Sequence, residues 1–177
     1  MQRTSASIRY AKALFLLALE NNSSKDVLLD LKSVLEIIHT DNQLVNFINN
    51  PTIRSSVKVQ LFKKLFTKKI KPITMNFLSL VINKGREVFL SDIINKYEAI
   101  FNKHNNISVV QVISSEPLSD SLKQSIKEKV SFNGGEVKLK EKINKSLLGG
   151  FIIKRGDLQY DASIKKKLSN AKRAFKL

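Results

Sequence analysis

Few side chains in this sequence are equipped for chemistry. It holds two histidines, His39 and His104, and no cysteine. Thiolate ligation is therefore excluded, and with it a Cys-type zinc fold and any disulfide. Neither histidine has an acidic neighbour in sequence, so a metal site or a histidine-based catalytic set is not expected. The carboxylates are scattered, with no pair at the spacing that acid–base catalysis needs. Ser163 and Lys166 match the S-x-x-K pattern of acylating enzymes, but its companion motifs are missing. No phosphate-cradling glycine loop is present. Gly149-Gly150 interrupts an apolar run, where glycine marks a bulge or a close backbone approach rather than an anion site. The sequons at Asn22 and Asn106 have no secretory signal to give them meaning. The residues argue against an enzyme and turn attention to surfaces.

The largest surface signal is charge. The 177 residues carry 31 Lys+Arg against 15 Asp+Glu, a formal net charge of +16. Residues 1–105 hold 16 basic and 8 acidic residues and residues 106–177 hold 15 and 7, so both parts stand at +8. The densest clusters are Lys63, Lys64, Lys68, Lys69 and Lys71, and Lys165 to Lys167. Such an excess suits an anionic partner, and a basic nucleic-acid or ribosome-associated protein is the alternative reading. Against it, arginine is scarce beside lysine, tryptophan is absent and tyrosines number three. Bidentate readout and base stacking thus lack their usual side chains. The longest unbroken apolar run, Ala13–Leu19, is seven residues, far short of the roughly 18 that a membrane span requires. Direct lipid contact is set aside, since no segment reads as an amphipathic helix joining a Lys-rich face to free apolar residues.

These surfaces need elements to hold them. Residues 1–19 carry Arg3, Arg9, Lys12 and several serines with no acid before Glu20, as a transit peptide would. They also fit a first helix through Ile8, Ala11, Phe15, Ala18 and Leu19, capped by Ser5 or Ser7, and that reading is preferred. Helices follow at 24–39, with Val27, Leu28, Leu31, Val34, Leu35 and Ile38 as a stripe and Ser23 with Asp26 as a capping box. Further helices read at 42–49 and 55–66, the latter through Val57, Leu61, Phe62, Leu65 and Phe66. The next runs from Pro72 to about Lys84 with Gly85 as its stop, and the last covers 87–103. From residue 107 the pattern turns β-branched. Strands are expected at 107–114, 137–143, 147–154 and 158–160, a helix from Ser119, a turn at Asn133-Gly134-Gly135, and a final helix through Ile164, Leu168, Ala171 and Phe175. Val137, Leu139, Glu141 and Ile143 should share one face of their strand. The chain is thus expected to be α+β overall: an N-terminal six-helix bundle, residues 1–105, then a small C-terminal α/β domain, residues 106–177.

Two helices are apolar all round. In the first, Tyr10, Ala13, Leu14 and Leu17 lie opposite the core set. In the fifth, Phe77, Leu80 and Val81 read as the core face, with Met75, Leu78 and Ile82 around it. A bundle of this size encloses one such helix fully, but hardly two. Either one is central and the other only partly covered, or the two flank a groove that accepts a partner's amphipathic helix.

The sequence then resembles a known family, the delta subunit of the F-type ATP synthase, called the oligomycin-sensitivity-conferring protein in mitochondria. Four stretches carry the likeness: Tyr10-Ala-Lys-Ala-Leu-Phe15, Phe47-Ile-Asn-Asn-Pro51, Phe77 to Arg86, and Val137 to Gly156 with Asp157, Asp161 and Ser163-Ile164 after it. The chain departs from many relatives in having Ala162 before Ser163 and in being more basic.

The resemblance implies a non-catalytic stator subunit without a cofactor, joining the catalytic head to the membrane sector so that rotation is coupled to ATP synthesis. It implies that the N-terminal helices of the alpha subunits dock between the first and fifth helices, here at Tyr10, Ala13, Leu14, Leu17, Met75, Leu78, Ser79 and Ile82. It implies that the C-terminal domain meets the C-terminal end of the b-subunit pair, here near Gly149, Gly150, Phe151, Ile164 and Leu168. It further implies one copy per complex rather than a homo-oligomer, and no nucleic-acid partner. The expected place is peripheral, held through the complex on the cytoplasmic face of a bacterial inner membrane, or on an organellar inner membrane.

Overall fold

The structure, a computed structural model, describes residues 2–66, 69–130, 135–156 and 158–174. It forms two compact units, Met1–Phe101 and Asn102–Leu177. The first unit is built from α1 (Gln2–Glu20), α2 (Ser24–Thr40), α3 (Asn42–Asn49), α4 (Ser55–Phe66), α5 (Pro72–Asn83) and most of α6 (Leu90–His104). A plain count of six helices is inexact. A 3-10 turn, η1 (Glu87–Phe89), precedes α6, so the helix expected from residue 87 starts at Leu90. The Phe89 N–H closes back on the Arg86 carbonyl at 3.1 Å, which keeps this stretch from winding as α-helix.

The core of this unit is made of Leu14, Phe15, Leu31, Val34, Phe62, Phe66, Leu78, Ile82, Ile93, Ile94 and Tyr97, all buried. Each contributes about 1.5–3 kcal/mol by leaving water. Tyr97 meets Phe15 edge-on with ring centroids 5.8 Å apart, and its hydroxyl donates to the Ser24 carbonyl at 3.0 Å. Burial pushes the Tyr97 phenol well above its ordinary pKa.

Several helix ends differ from the sequence expectation, each for a local reason. Ser5 and Ser7 lie inside α1, past its start at Gln2, and so are not its N-cap. Ile8, expected in the core, is 43% exposed, because α1 turns Ser7, Ala11, Leu14 and Ala18 inward instead. Ser23 does not cap α2; its Oγ donates to the Ala18 carbonyl at 3.3 Å, closing α1 behind it. Asn22 takes φ 49 there, the left-handed residue that ends a helix. Asp41 is the cap that the sequence reading missed: its Oδ1 accepts from the N–H of Gln43 and of Leu44, opening α3. In α4, Val57 and Leu65 stand largely exposed while Lys58 is buried.

The second unit holds β1 (Ser108–Ser114), α7 (Asp120–Val130), β2 (Val137–Ile143), β3 (Phe151–Arg155), β4 (Leu158–Asp161) and α8 (Ile164–Ala174). Its sheet runs in the order β2-β1-β3-β4. β1 pairs parallel with β2 across the α7 crossover and antiparallel with β3, which pairs antiparallel with β4. Val110, Val112 and Ile126 form its buried centre, joined by Leu122, Leu139, Phe151 and Ile153. The strand expected at 147–154 starts late, since β3 begins at Phe151. Asn144 captures the preceding segment in a turn, its Oδ1 accepting from Ser146 N–H and its carbonyl from Leu147 N–H. Leu147-Leu148 therefore mimics a strand start. In β2, Glu141 and Ile143 do not continue the buried face; Glu141 instead pairs with Lys123 of α7 at 2.8 Å. Lys68, Asn133, Gly134, Asp157 and Phe175, each part of an expectation above, lie outside the described residues.

α8 corrects the view that no basic amphipathic helix exists. Lys165, Lys166 and Lys167 flank Ile164 and Leu168, and all five are exposed. The helix is fastened at its start: Ser163 Oγ accepts from Lys166 N–H, Asp161 Oδ1 from Ser163 N–H, and the Gly149 carbonyl from Ile164 N–H.

Candidate functional site

An open apolar cleft of about 350 Å³ lies between α1 and α5. Tyr10, Ala13, Leu14 and Leu17 line its α1 side, and Ile73, Asn76, Phe77 and Leu80 its α5 side. The four α1 residues are those expected. On α5 Val81 is buried as expected, but the rest of the expected core face and the expected groove face are exchanged. Met75, Leu78 and Ile82 point into the core, the last two fully buried at 0%, and Ser79 is spent on its own helix, donating to the Met75 carbonyl at 2.9 Å. The exchange has a physical cause. α5 is apolar on nearly every side, so its periodicity offers two stripes of similar hydrophobicity, Met75–Leu78–Ile82 and Ile73–Phe77–Leu80. The one usable sign is Asn76, a polar residue that must sit toward solvent. Leu17 and Leu80, each 48% exposed, face each other across the opening.

Aromatic contacts brace the lining of the cleft. Tyr10 and Phe77 meet edge-on with centroids 6.4 Å apart. The Arg86 guanidinium lies 5.3 Å from the Tyr10 ring centre and its Nη1 donates to the Tyr10 hydroxyl at 3.2 Å. Arg86 is placed by the end of α5. Gly85 takes φ 64 and donates to the Ile82 carbonyl, while Arg86 N–H reaches back to Val81 at 3.0 Å. That double closure is the Schellman form of helix ending, and it folds the chain back over the helix it leaves. The start of α5 is set from elsewhere: Asp30 of α2 accepts from Lys71 N–H and Thr74 Oγ1, both at 2.8 Å.

In the second unit, Gly149, Gly150 and Phe151 act by position. A Cβ on Gly149 would stand 2.5 Å from Ile164 Cδ1, and one on Gly150, which has φ 79, would collide with the Ala162 carbonyl. The pair is thus the close backbone approach expected of it, and it seats the start of α8. Phe151 packs inward against the sheet core, so the outward apolar groups here are Ile164 and Leu168. Among the described residues no three His, Asp or Glu side chains come together as a metal site, and no helix is long and apolar enough to cross a membrane.

A helical unit with an uncovered apolar cleft, followed by a small mixed-sheet unit with its own exposed helix, defines a docking protein built on surfaces rather than reactive groups. The comparisons with known proteins agree. The profile of the ATP synthase delta (OSCP) subunit family matches residues 6–175. The ATP synthase subunit delta of Cytophaga hutchinsonii is 31% identical over 175 residues, spanning 99% of this chain and 96% of the relative. That of Christiangramia forsetii is 33% identical over 177 residues, with the same coverage. A chain in the cryo-EM structure of the Toxoplasma gondii mitochondrial ATP synthase hexamer shares the fold, with TM-score 0.76 at 22% identity over 97% of both chains. The chain belongs to the ATP synthase delta (OSCP) subunit family. It is a structural, non-catalytic subunit of the peripheral stalk of the F-type ATP synthase, and is peripheral to the membrane that holds the complex.

Proposed function

We propose that the α1–α5 cleft receives an N-terminal helix of an alpha subunit of the catalytic head, and that the second unit meets the C-terminal end of the b-subunit pair. The chain then ties head to stalk and holds the head still against the turning shaft, as a single copy on the cytoplasmic face of a bacterial inner membrane. The observation that carries this reading is the pair Leu17 and Leu80, half-exposed on opposite walls of an apolar cleft. An apolar trough rimmed by polar residues is what an amphipathic helix fills, through anchors at i, i+3/i+4 and i+7. Domain roles follow from the same placement: residues 1–105 for the head and 106–177 for the stalk.

The test contrasts two leucines two residues apart in sequence, Leu78 in the core and Leu80 in the cleft. Leu80→Asp places a charge in the cleft without touching the core, so the variant should fold normally. Its affinity for purified catalytic head, measured by calorimetry, should fall by about 30-fold or more, the loss of one interface hot spot of about 2 kcal/mol. Leu78→Asp buries that charge and should unfold the first unit. Normal head binding by a folded Leu80→Asp protein would refute the cleft assignment.

A further inference from the structure

The net charge is shared equally between the two parts of the chain, but within the second part it is not shared at all. Residues 106–141 hold five Lys+Arg and five Asp+Glu, a balance of zero. Residues 142–177 hold ten Lys+Arg and two acids, Asp157 and Asp161, a balance of +8. Half the charge of the molecule thus lies in the segment that forms β3, β4 and α8. Of the two acids, Asp161 already accepts the Ser163 N–H, and its hydrogen bonds with Ser163, helped by Lys166, hold its carboxyl below the usual carboxylate range.

The same segment leaves apolar side chains uncovered. Tyr160 pairs with Ile153 and Leu158 with Arg155. Paired residues of neighbouring strands project to one face, and Ile153 packs into the core on that face. Leu158 and Tyr160 therefore extend the core face outward, beyond the cover that α7 gives, and stand 75% and 67% exposed. Four residues after Tyr160, α8 adds Ile164 and then Leu168, also exposed, with Lys165, Lys166 and Lys167 between them. Leu158 and Tyr160 on the strand, and Ile164 and Leu168 on the helix that follows it, are thus exposed apolar side chains in the most basic segment of the chain.

We infer that Leu158 and Tyr160 act with Ile164 and Leu168 as one strip that binds an amphipathic helix whose flanks are acidic, and that Lys165 to Lys167 select it by charge. The inference rests on the reading that the second unit meets the b subunits, and adds the chemistry by which that end of the stalk is chosen. A helix is favoured over a lipid surface because the apolar groups are divided between a sheet edge and a helix of 11 residues. A bilayer-lying helix needs its apolar face in one plane, commonly with aromatic anchors, and the described side chains of α8 include none.

The experiment measures binding of the full chain to the soluble C-terminal part of the b-subunit dimer at about 0.1 M and about 1 M salt, where the Debye length falls from about 10 Å to about 3 Å. Three chains are compared: the natural one, Lys165→Glu/Lys166→Glu/Lys167→Glu, and Leu158→Ser/Tyr160→Ser, each checked by circular dichroism for native helix content. The inference expects affinity of the natural chain to drop at least tenfold at high salt. The lysine variant should be at least tenfold weaker at low salt and converge on the natural chain at high salt. The strand variant should be weaker at both. Binding that ignores both salt and lysine reversal overturns the inference and leaves the b-subunit reading intact. A natural chain that does not bind b at either salt overturns both. Charge-dependent binding to vesicles of anionic lipid without binding to b overturns it in favour of a membrane surface.

Discussion

Lys58 is a charged side chain buried in α4, and its partners explain why it is tolerated. Its ammonium donates to the Ile48 carbonyl at 2.6 Å and to Glu87 Oε1 at 2.5 Å. Both side chains are nearly withdrawn from water, at 3% and 10% exposure, and Glu87 Oε2 has no hydrogen-bond partner among the described residues. Such a pair is costly to break, because the survivor is left as an uncompensated buried charge. Lys58→Met should therefore cost about 3–5 kcal/mol in urea unfolding, while Lys58→Met/Glu87→Leu should recover most of that loss. A small cost for the single variant would mean that water reaches Glu87 freely. Asp161 makes a second prediction at this scale. Its carboxyl titrates below the ordinary range because of its hydrogen bonds to Ser163. A depressed carboxyl stabilises the fold above its unfolded-state pKa, and that contribution fades as pH falls through the folded-state value. Amide protection at the start of α8, measured against the intrinsic exchange rate at each pH, should accordingly fall only on acidification below the usual carboxylate range, and Asp161→Asn should remove that pH dependence.

Among the elements, α5 depends most on residues that are not its own. Its first turn has no acid, and Asp30, from α2, supplies the acceptor for it instead. Asp30→Ala should cost about 1 kcal/mol, the usual worth of a lost cap. The far end is held by Gly85 at φ 64, and a Cβ there would meet nothing within 4 Å. The whole penalty of Gly85→Ala is then backbone conformation, about 1–2 kcal/mol, without any steric clash. The substitution should also loosen Arg86 from Tyr10, visible as a faster-exchanging Arg86 amide. These two ends show what a sequence discloses and what it withholds. Pro72 and Gly85 announce α5 because each acts on its own backbone. Asp30 is silent, since its role arises only when α2 folds beside α5. The face of α5 was equally hidden: with Leu78 and Leu80 both apolar, spacing alone could not say which met the core. The stripe of α2 was legible because its polar face is unmistakable. β3 was misjudged at its start because Leu147-Leu148 has the composition of a strand, whereas Asn144 holds it as a turn.

For the whole molecule, the decisive property is that the two surfaces sit on different compact units. The cleft of the first is apolar, with Tyr10 and Phe77 in its lining and Arg86 braced against Tyr10. The strip inferred on the second is apolar, with lysines between Ile164 and Leu168. A tether under the torque of a rotating shaft needs both attachments at once, so losing either should uncouple the enzyme without stopping its chemistry. Changes at sites that share no partners add in free energy, which makes the argument testable in one set of four chains. Leu80→Asp should weaken head binding and leave b binding alone. The triple lysine reversal should do the opposite. The combined chain should show both losses at their single-variant sizes, within about 0.5 kcal/mol. In reconstituted complexes every variant should keep ATP hydrolysis while ATP-driven ion pumping falls, most in the combined chain. If Leu80→Asp also weakened b binding, the units would be coupled, and the molecule would have to be understood as a transmitter of strain between its two attachments rather than as a passive link.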